Sequence, residues 1–274
     1  MRYAQVLFLA FAACQSKPMR TPLIYGEGGV DPFAQKPDAL KTKSIEVLFA
    51  TDRARSDKEQ YAARRGKGLI LGAAAVRLSG EGWDELHAAT LAREPLDLEV
   101  TDSEEFGPLW TTLDVDDREE LTTDTMFLPG LRFADALNEQ FARCGRKELL
   151  IYVHGFNTTH ATTMEQTAQL CHYLARDMPV MLFSWPTRGS VFKYLGDKVE
   201  SFRSVRNFRE LLDHLAAQTP VERIHIFSYS AGAPIVTEAL LQLRLIHRGK
   251  PRDEVQRTQK IHTCLLYTSD AADD

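Results

Sequence analysis

The stretch "RIHIFSYSAGAPIVTEALLQLRLI" (residues 223–246) joins an apolar run to an amphipathic helical pattern across a break of small residues. The apolar run predicts a buried strand, and the part after the break predicts a helix. At the break, the sequence Ser228-Tyr229-Ser230-Ala231-Gly232 keeps small side chains next to Ser230 on its helical side. A serine between a strand and a helix, flanked by small residues, is typical of a nucleophile on a tight elbow. The alternative is a serine that only caps the helix.

The rest of the chain repeats this alternation of strand and helix. Strand patterns at 148–156, 179–186 and 223–230 alternate with helix patterns at 133–145, 161–178, 205–218 and 233–246. Continuous apolar strands that alternate with helices predict a parallel sheet covered on both faces. Right-handed crossovers then give the predicted fold class, an α/β fold built as a three-layer sandwich with a mostly parallel sheet.

Further strands are predicted before and after this region. Residues 45–51 and 68–78 form the first two, and residues 96–100 form a third at the sheet edge. The acidic segment 101–124 is poorly periodic and is therefore predicted as loops. The "KIHT" sequence at 260–263 begins one more strand, which we expect to be cut short, so that the sheet is incomplete at its C-terminal side.

Length and charge limit the possible functions. A chain of 274 residues suits one large domain, and its net charge of −5 gives no electrostatic reason to expect nucleic acid. We predict four segments: a signal peptide at 1–13, a tether at 14–43, the α/β domain at 44–263 and a tail at 264–274.

The N-terminus, "MRYAQVLFLAFAACQSK", has one basic residue, a short apolar core and then Cys14. Small residues before a cysteine resemble a bacterial lipobox, in which Cys14 is lipidated and becomes the mature N-terminus. Gln15 resembles the outer-membrane sorting pattern, so we expect a lipoprotein of the bacterial cell envelope that faces the periplasm. Phe11 stands where Leu is usual, and the alternatives are ordinary cleavage to a soluble periplasmic protein or a buried first strand.

The C-terminal sequence "CLLYTSDAADD" (264–274) matches the translated read-through of a sequencing adapter. We therefore expect an artefact there, with the natural reading interrupted near Thr263; the alternative is a genuine short strand with an acidic tail. Without this segment and Cys14, Cys144 and Cys171 remain; they could pair, but the sequence alone does not say so. Neither has metal-site spacing, and we expect no metal and no cofactor.

A second motif, "VHGFN" (153–157), closes a predicted strand. A His-Gly pair at this place is where α/β-hydrolases put one donor of the oxyanion hole. Gly155 lets the main chain approach the substrate, and the Phe156 N–H is the expected donor. The Ala231 N–H, at the start of the helix, is the second. His154 fits a loop-shaping role better than that of the base.

The family resemblance rests on four stretches, "FATDRAR", "IYVHGFNTT", "LFSWPTRGSVFKYLGDKVES" and "IHIFSYSAG". Together they resemble a bacterial family of α/β-hydrolases of unknown function, esterase- or lipase-like, whose lipoprotein leaders are similar to "CQSKPMRTP". The resemblance covers nearly all of residues 14–263. It implies a Ser230 nucleophile and a nearby Ser-Trp-Pro loop. Trp185 of that loop either lines the substrate mouth or packs in the core.

The expected substrate pocket includes residues from all three motifs: His154, Gly155, Asn157, Trp185 and Tyr229. Family members usually carry Gly-His-Ser-Met-Gly or a close relative at the elbow. Ser228 and Tyr229 therefore depart from the family pattern, which bears on activity more than on fold.

The partners of the nucleophile are not found in the sequence. The fold orders its triad as Ser, then Asp or Glu, then His. The candidates after Ser230 are all at unsuitable places: Glu238, His247, Asp253, Glu254 and His262. We therefore expect the acid and the histidine base to be absent from this chain.

The expected function follows from these motifs. We expect the complete gene product to hydrolyse small-molecule or lipid esters through an acyl-enzyme, and the 274-residue chain to be nearly inert. The alternatives are acyl transfer to another acceptor and a non-catalytic envelope protein that uses the hydrolase scaffold for binding.

Overall fold

The structure is a computed structural model that describes residues 19–23, 25, 31–109, 123–187 and 194–267. The predicted signal peptide, Cys14 and residues 268–274 lie outside the described residues. Side chains are described except for those of residues 123–127 and 194–203.

Seven strands of the described chain form one sheet. They are β1 (Ser44–Arg55), β2 (Tyr61–Leu78), β3 (Leu98–Leu109), β4 (Glu148–Val153), β5 (Val180–Ser184), β6 (Arg223–Tyr229) and β7 (Ile261–Tyr267). Their order across the sheet is β3-β2-β1-β5-β4-β6-β7. Strands β1, β5, β4, β6 and β7 run parallel, and β2 is antiparallel to both of its neighbours. The carboxyl ends of β4, β5 and β6 therefore meet at one edge, where ligand sites of such sheets form.

Six α-helices accompany the sheet in the described chain. They are α1 (Trp83–Leu91), α2 (Thr123–Cys144), α3 (His160–Tyr173), α4 (Tyr194–Gln218), α5 (Ala233–Ile246) and α6 (Arg252–Gln259). Side chains of α2, α4 and α5 pack in one apolar cluster on one face of the sheet. Those of α1 and α3 pack in a second cluster on the other face. This confirms the predicted three-layer α/β sandwich with a mostly parallel sheet.

The acidic segment predicted as loops is partly a strand, and that prediction was wrong for residues 101–109. These residues extend β3 and pair with β2 through main-chain hydrogen bonds. An edge strand can carry many charges because its pairing depends on the main chain and its outer positions face water. Arginines of neighbouring elements also pair with these acids, Arg55 with Glu105 and Arg132 with Glu104.

The strand that begins with "KIHT" runs further than predicted. Strand β7 continues through Tyr267 and pairs in parallel with β6, with Tyr229 opposite Tyr267. It thus includes four residues that we excluded from the domain, and three of them, Leu265, Leu266 and Tyr267, are exposed. The origin of residues 264–274 stays a prediction.

The described part of residues 19–43, here called the N-terminal segment, packs on the α1 and α3 face. The main chain of Met19 exchanges two hydrogen bonds with the Gln169 amide, at 2.8 and 3.0 Å. Phe33 is buried and stacks on His172 at 4.9 Å between ring centroids. The expected tether therefore lies over the surface, and buried aromatic side chains attach it there.

Candidate active site

Ser230 stands on a sharp turn at the end of β6. Its φ is +48°, a left-handed value that is uncommon for a residue with a side chain. A 3-10 turn, Ser230–Gly232, follows and continues directly into α5. The residue is half-buried, and its hydroxyl makes no hydrogen bond within the described chain. This is the geometry of a nucleophile elbow, in which one strained residue holds its hydroxyl between a strand and a helix.

Two glycines bring the elbow into contact with the "VHGFN" loop. A Cβ on Gly232 would lie 2.6 Å from the His154 carbonyl oxygen and 2.8 Å from that of Val153. A Cβ on Gly155 would lie 3.3 Å from the Ser230 Cβ. Strands β4 and β6 are neighbours with Val153 opposite Ser228, so the two motifs leave the sheet side by side. At Gly232 main chain approaches main chain, and at Gly155 a Cβ would lie 2.8 Å from the Tyr229 ring, so neither position has room for a side chain.

The His154 ring fixes the orientation of the peptide bond that carries the predicted oxyanion donor. Its Nε2 accepts from the Trp185 N–H at 3.1 Å, so Nδ1 carries the proton and donates to the Gly155 carbonyl at 2.7 Å. Carbonyl and N–H point in opposite directions across a trans peptide. The Phe156 N–H therefore points away from the His154 ring.

His154 is neutral in this position. Burial lowers its pKa well below the usual value, and the nearby Arg53 guanidinium lowers the pKa further. Both ring nitrogens are occupied, so the imidazole has no free position for accepting a proton from Ser230. The structure places His154 in the loop-shaping role.

The residues predicted to line the pocket lie at different depths. His154 and Trp185 are fully buried; Trp185 is 1% exposed, stacks on the His154 ring and donates its indole N–H to the His154 carbonyl at 2.8 Å. For both, the pocket-lining prediction is corrected: they lie beneath the site and support its loop. Asn157 is half-buried at φ +57°, and Tyr229 is 40% exposed beside Ser230.

The second predicted donor, the Ala231 N–H, lies in the first turn after the elbow. Amides of a first helical turn have no acceptor within their own helix, and the positive end of the helix dipole lies there. Ala231 directly follows Ser230, and Gly155, directly before Phe156, touches Ser230. The sequence-predicted nucleophile and both predicted donor residues are thus brought together.

The predicted lack of a base can be checked against every histidine. All eight histidines lie in the described chain, and each makes a hydrogen bond to a group other than Ser230. The partners of His87, His154, His160, His172, His214, His225, His247 and His262 are Asp31, Gly155, Ser184, Thr90, Gly130, Glu148, Gln259 and Thr263. His225 and His262 also lie towards the amino ends of β6 and β7, opposite the elbow.

The carboxylates after Ser230 that the structure describes are engaged away from it as well. Glu238 accepts a hydrogen bond from Gln242, and Glu254 pairs with Lys250. Asp253 pairs with Arg257. None of these groups forms the acid–histidine pair that the mechanism requires.

One buried group of the site was missed in the sequence. Arg53, on β1, is 1% exposed and reaches the loop after β4, where its Nη2 donates to the Thr158 carbonyl at 3.0 Å. It lies in "FATDRAR", a stretch used only for the family resemblance. The signal in the sequence was a basic residue within an apolar strand pattern. A guanidinium buried in such a strand needs several hydrogen-bond acceptors, which the ends of neighbouring strands and loops can supply.

The family comparison agrees with this geometry. Residues 132–274, just over half of the chain, match the family described as "Alpha/beta hydrolase of unknown function (DUF900)". The chain belongs to this family. The matched part of this α/β-hydrolase runs from α2 to the C-terminus and includes the elbow, the "VHGFN" loop and the Ser-Trp-Pro stretch.

No curated protein and no solved structure showed significant similarity to this α/β-hydrolase. Among its described helices, none is both long and apolar enough to cross a bilayer.

Proposed function

We propose that this α/β-hydrolase is a serine hydrolase that cleaves carboxylic esters through an acyl-enzyme. Ser230 Oγ attacks the ester carbonyl carbon, and the Phe156 and Ala231 N–H groups stabilise the negative charge on the carbonyl oxygen. The alkoxide then leaves as the alcohol, taking up the serine proton through a general base. A water molecule repeats the attack on the acyl-enzyme and releases the carboxylic acid and free Ser230.

One observation carries this proposal, namely the contact between the two motifs at Ser230. Ser230, whose main chain has a φ of +48°, lies next to Gly155. A tetrahedral intermediate formed on its hydroxyl could therefore face amides from two different elements. A serine that only capped a helix would need neither the positive φ nor the close approach of the neighbouring loop. Loss of one oxyanion donor typically lowers kcat by a factor of about 10²–10³.

The general base is proposed to come from sequence that this chain does not contain, because the Ser230 hydroxyl has no hydrogen bond to any of the eight histidines, all of which the structure describes. Without a base the hydroxyl keeps a pKa close to that of water, and only the oxyanion hole and binding contribute. Such partial machinery leaves a rate about 10³–10⁴-fold above that in water. The 274-residue chain is therefore expected to react slowly and the complete gene product fast.

A fluorophosphonate probe tests the proposal, because it labels only an activated serine. We expect rapid labelling of the complete gene product, loss of label in Ser230→Ala and retention of label in Ser228→Ala, the matched control two residues away. Hydrolysis of p-nitrophenyl esters of increasing acyl length should follow the same pattern. Labelling that survives in Ser230→Ala would contradict the proposal.

A second candidate function is ligand binding without catalysis. Ser228, where family members usually carry Gly, is fully buried, and its hydroxyl has no partner in the described chain. This departure, directly before the elbow, favours a scaffold that has lost activity. A complete gene product that folds but is not labelled by the probe supports this candidate. Labelling without net ester hydrolysis, with transfer to an added alcohol, indicates acyl transfer instead.

We also propose that the protein is held in the bacterial envelope by a lipid on Cys14, which lies outside the described residues. The "LAFAAC" leader supports this proposal. Metabolic palmitate labelling that is present in wild type and absent in Cys14→Ala is the expected result; equal absence of label would favour a soluble periplasmic protein.

A further inference from the structure

A buried arginine links three elements beneath the elbow. Arg53 extends from β1, which is separated from β4 by β5 in the sheet. Its Nε donates to Ser184 Oγ at the end of β5, at 3.0 Å. Its Nη2 donates to the Thr158 carbonyl at 3.0 Å and lies 3.4 Å from His154 Nε2.

These contacts are at both ends of one loop. We define the oxyanion loop as residues 154–158, between β4 and α3. His154 is its first residue and Thr158 its last, and the expected donor, the Phe156 N–H, lies midway between them. One guanidinium nitrogen, Nη2, contacts both ends of the loop. The guanidinium is planar and rigid, so the bond from its Nε to Ser184 fixes where Nη2 lies.

The end of the loop is also held by Thr187, which lies three residues after β5. The Thr187 hydroxyl donates to the Thr158 carbonyl at 3.1 Å and accepts from the Thr158 N–H at 3.3 Å. Within the loop, Asn157 takes a left-handed φ of 57°. A short loop with a strained residue keeps its shape only if the surrounding structure holds it, and Arg53 supplies a contact at each end.

We propose that Arg53 is the positioning residue of the oxyanion loop: by bridging His154 and Thr158 it holds the Phe156 N–H where the tetrahedral oxyanion forms. This inference rests on the proposed function and deepens it. Arg53 does not touch the substrate; it acts through His154, whose ring orients the Gly155 carbonyl. A displacement of about 1 Å in such a donor can cost about 10²-fold in rate.

The kinetic test compares Arg53→Lys and Arg53→Met with wild type, using the complete gene product and a short-chain aryl ester. We expect kcat to fall by about 10- to 100-fold with KM changed less than about twofold, because the oxyanion hole acts in the transition state. Lys keeps the charge but lacks the rigid group in which an Nε bonded to Ser184 places a second nitrogen at the loop, so it restores little of the lost kcat.

Arg176 offers a matched control elsewhere in the fold. It is also buried and donates to a carbonyl and a hydroxyl, those of Leu40 and Thr42, at 2.6 and 3.1 Å. Its Nη2 lies 3.3 Å from a histidine nitrogen, that of His172. Arg176→Lys therefore has a similar local cost but leaves the oxyanion loop unchanged, and we expect its kcat to stay within twofold of wild type.

Hydrogen exchange gives a readout that is independent of catalysis. In Arg53→Lys the amides of the oxyanion loop should exchange at least tenfold faster, whereas in Arg176→Lys the faster exchange should be confined to the N-terminal segment. If Arg53→Met does not fold, Ser184→Ala removes one Arg53 acceptor more gently and should show a smaller change of the same kind.

The two proposals fail in different ways. Unchanged loop exchange and unchanged kcat in the Arg53 variants overturn the inference, even if the enzyme is an active Ser230-dependent esterase. The opposite result is faster amide exchange in the loop of the Arg53 variants together with ester hydrolysis that does not depend on Ser230. It would support the positioning of the loop by Arg53 and overturn the proposed function.

Discussion

Ser230 adopts a left-handed main-chain conformation that costs a residue with a side chain about 1–3 kcal/mol. The surrounding structure maintains it because β6 must pass into α5 within a few residues while Gly232 presses against the end of β4. At the scale of single residues, then, the elbow depends on the two glycines, which carry no side chain, as much as on the serine. Gly232 and Gly155 provide the space in which two turns can meet.

Gly232→Ala tests this dependence. The new Cβ would meet two carbonyl oxygens, of His154 and Val153, at 2.6 and 2.8 Å, and main-chain atoms cannot move aside as the end of a side chain can. We expect a loss of about 1–3 kcal/mol in the free energy of unfolding, the usual cost of overpacking. Urea unfolding followed by circular dichroism measures this loss.

The control for this substitution is Gly68→Ala in β2. A Cβ at Gly68 has no atom within 4 Å, so the change should be neutral or slightly stabilising. Equal stability of the two variants would show that the elbow relaxes around a methyl group, which would contradict the close contact described here.

At the scale of elements, the oxyanion loop lies between the end of β4 and the start of α3. Thr159 caps α3, and its side-chain oxygen accepts from the Thr162 N–H at 3.1 Å. The residues directly after β5 hold the loop from the side, Trp185 through His154 and Thr187 through Thr158. Ser184, the last residue of β5, acts on the loop through Arg53. The site is therefore built where the end of β4, the end of β5 and the start of α3 meet, and side-chain hydrogen bonds hold each of these ends.

Removal of the α3 cap should weaken the domain measurably. Thr159→Ala deletes the acceptor for a first-turn N–H, and we expect a loss of about 1 kcal/mol in the free energy of unfolding. Thr159→Ser keeps the hydroxyl and should stay within a few tenths of a kcal/mol of wild type. The prediction is refuted if both variants lose the same stability in denaturant unfolding.

At the scale of the whole molecule, the N-terminal segment packs against helices α1 and α3 on their face of the sheet. His172 lies at this junction, stacked on Phe33 and bonded to Thr90 through Nε2 at 2.8 Å. Burial, and then the positive charge of Arg176, lowers the pKa of His172 to about 3. A proton on this ring would therefore be incompatible with the docked arrangement.

Acid should destabilise the folded protein through this group. An unfolded histidine titrates near pH 6.5, so between about pH 6.5 and 3 the unfolded chain binds a proton that the folded chain excludes. The stabilisation is complete above pH 6.5 and is lost as the pH falls. Each such histidine contributes a slope of about 1.4 kcal/mol per pH unit.

His172→Gln removes one of these proton-binding differences, so its unfolding free energy should fall less steeply between pH 6 and 4 than that of wild type. Urea titrations at four pH values measure the slope. If His172→Gln and wild type lose stability in parallel, His172 does not carry the effect.

Particular residues show how far the sequence could predict the fold and the site. The apolar runs that became β4 and β5 were readable because a strand buried on both faces tolerates few polar residues. Strand β6 was readable although it is fully buried only at alternate positions. Ser230, Gly155 and Gly232 were readable because a tight turn restricts side-chain size. The acidic part of β3 was not readable, since edge pairing depends on the main chain, and helices α1 and α6 were missed.

The sequence by itself determined the alternation of strands and helices, the place of the elbow and the small residues around it, because local periodicity and side-chain volume are written along the chain. Only the tertiary structure decided that His154 and Trp185 lie beneath the site and that Arg53 spans its loop. Those assignments depend on contacts between distant residues, 31 positions apart for His154 and Trp185 and 101 for Arg53 and His154. The strands concerned have a different order in the sheet from their order in the chain. Such proximity arises only when the sheet assembles.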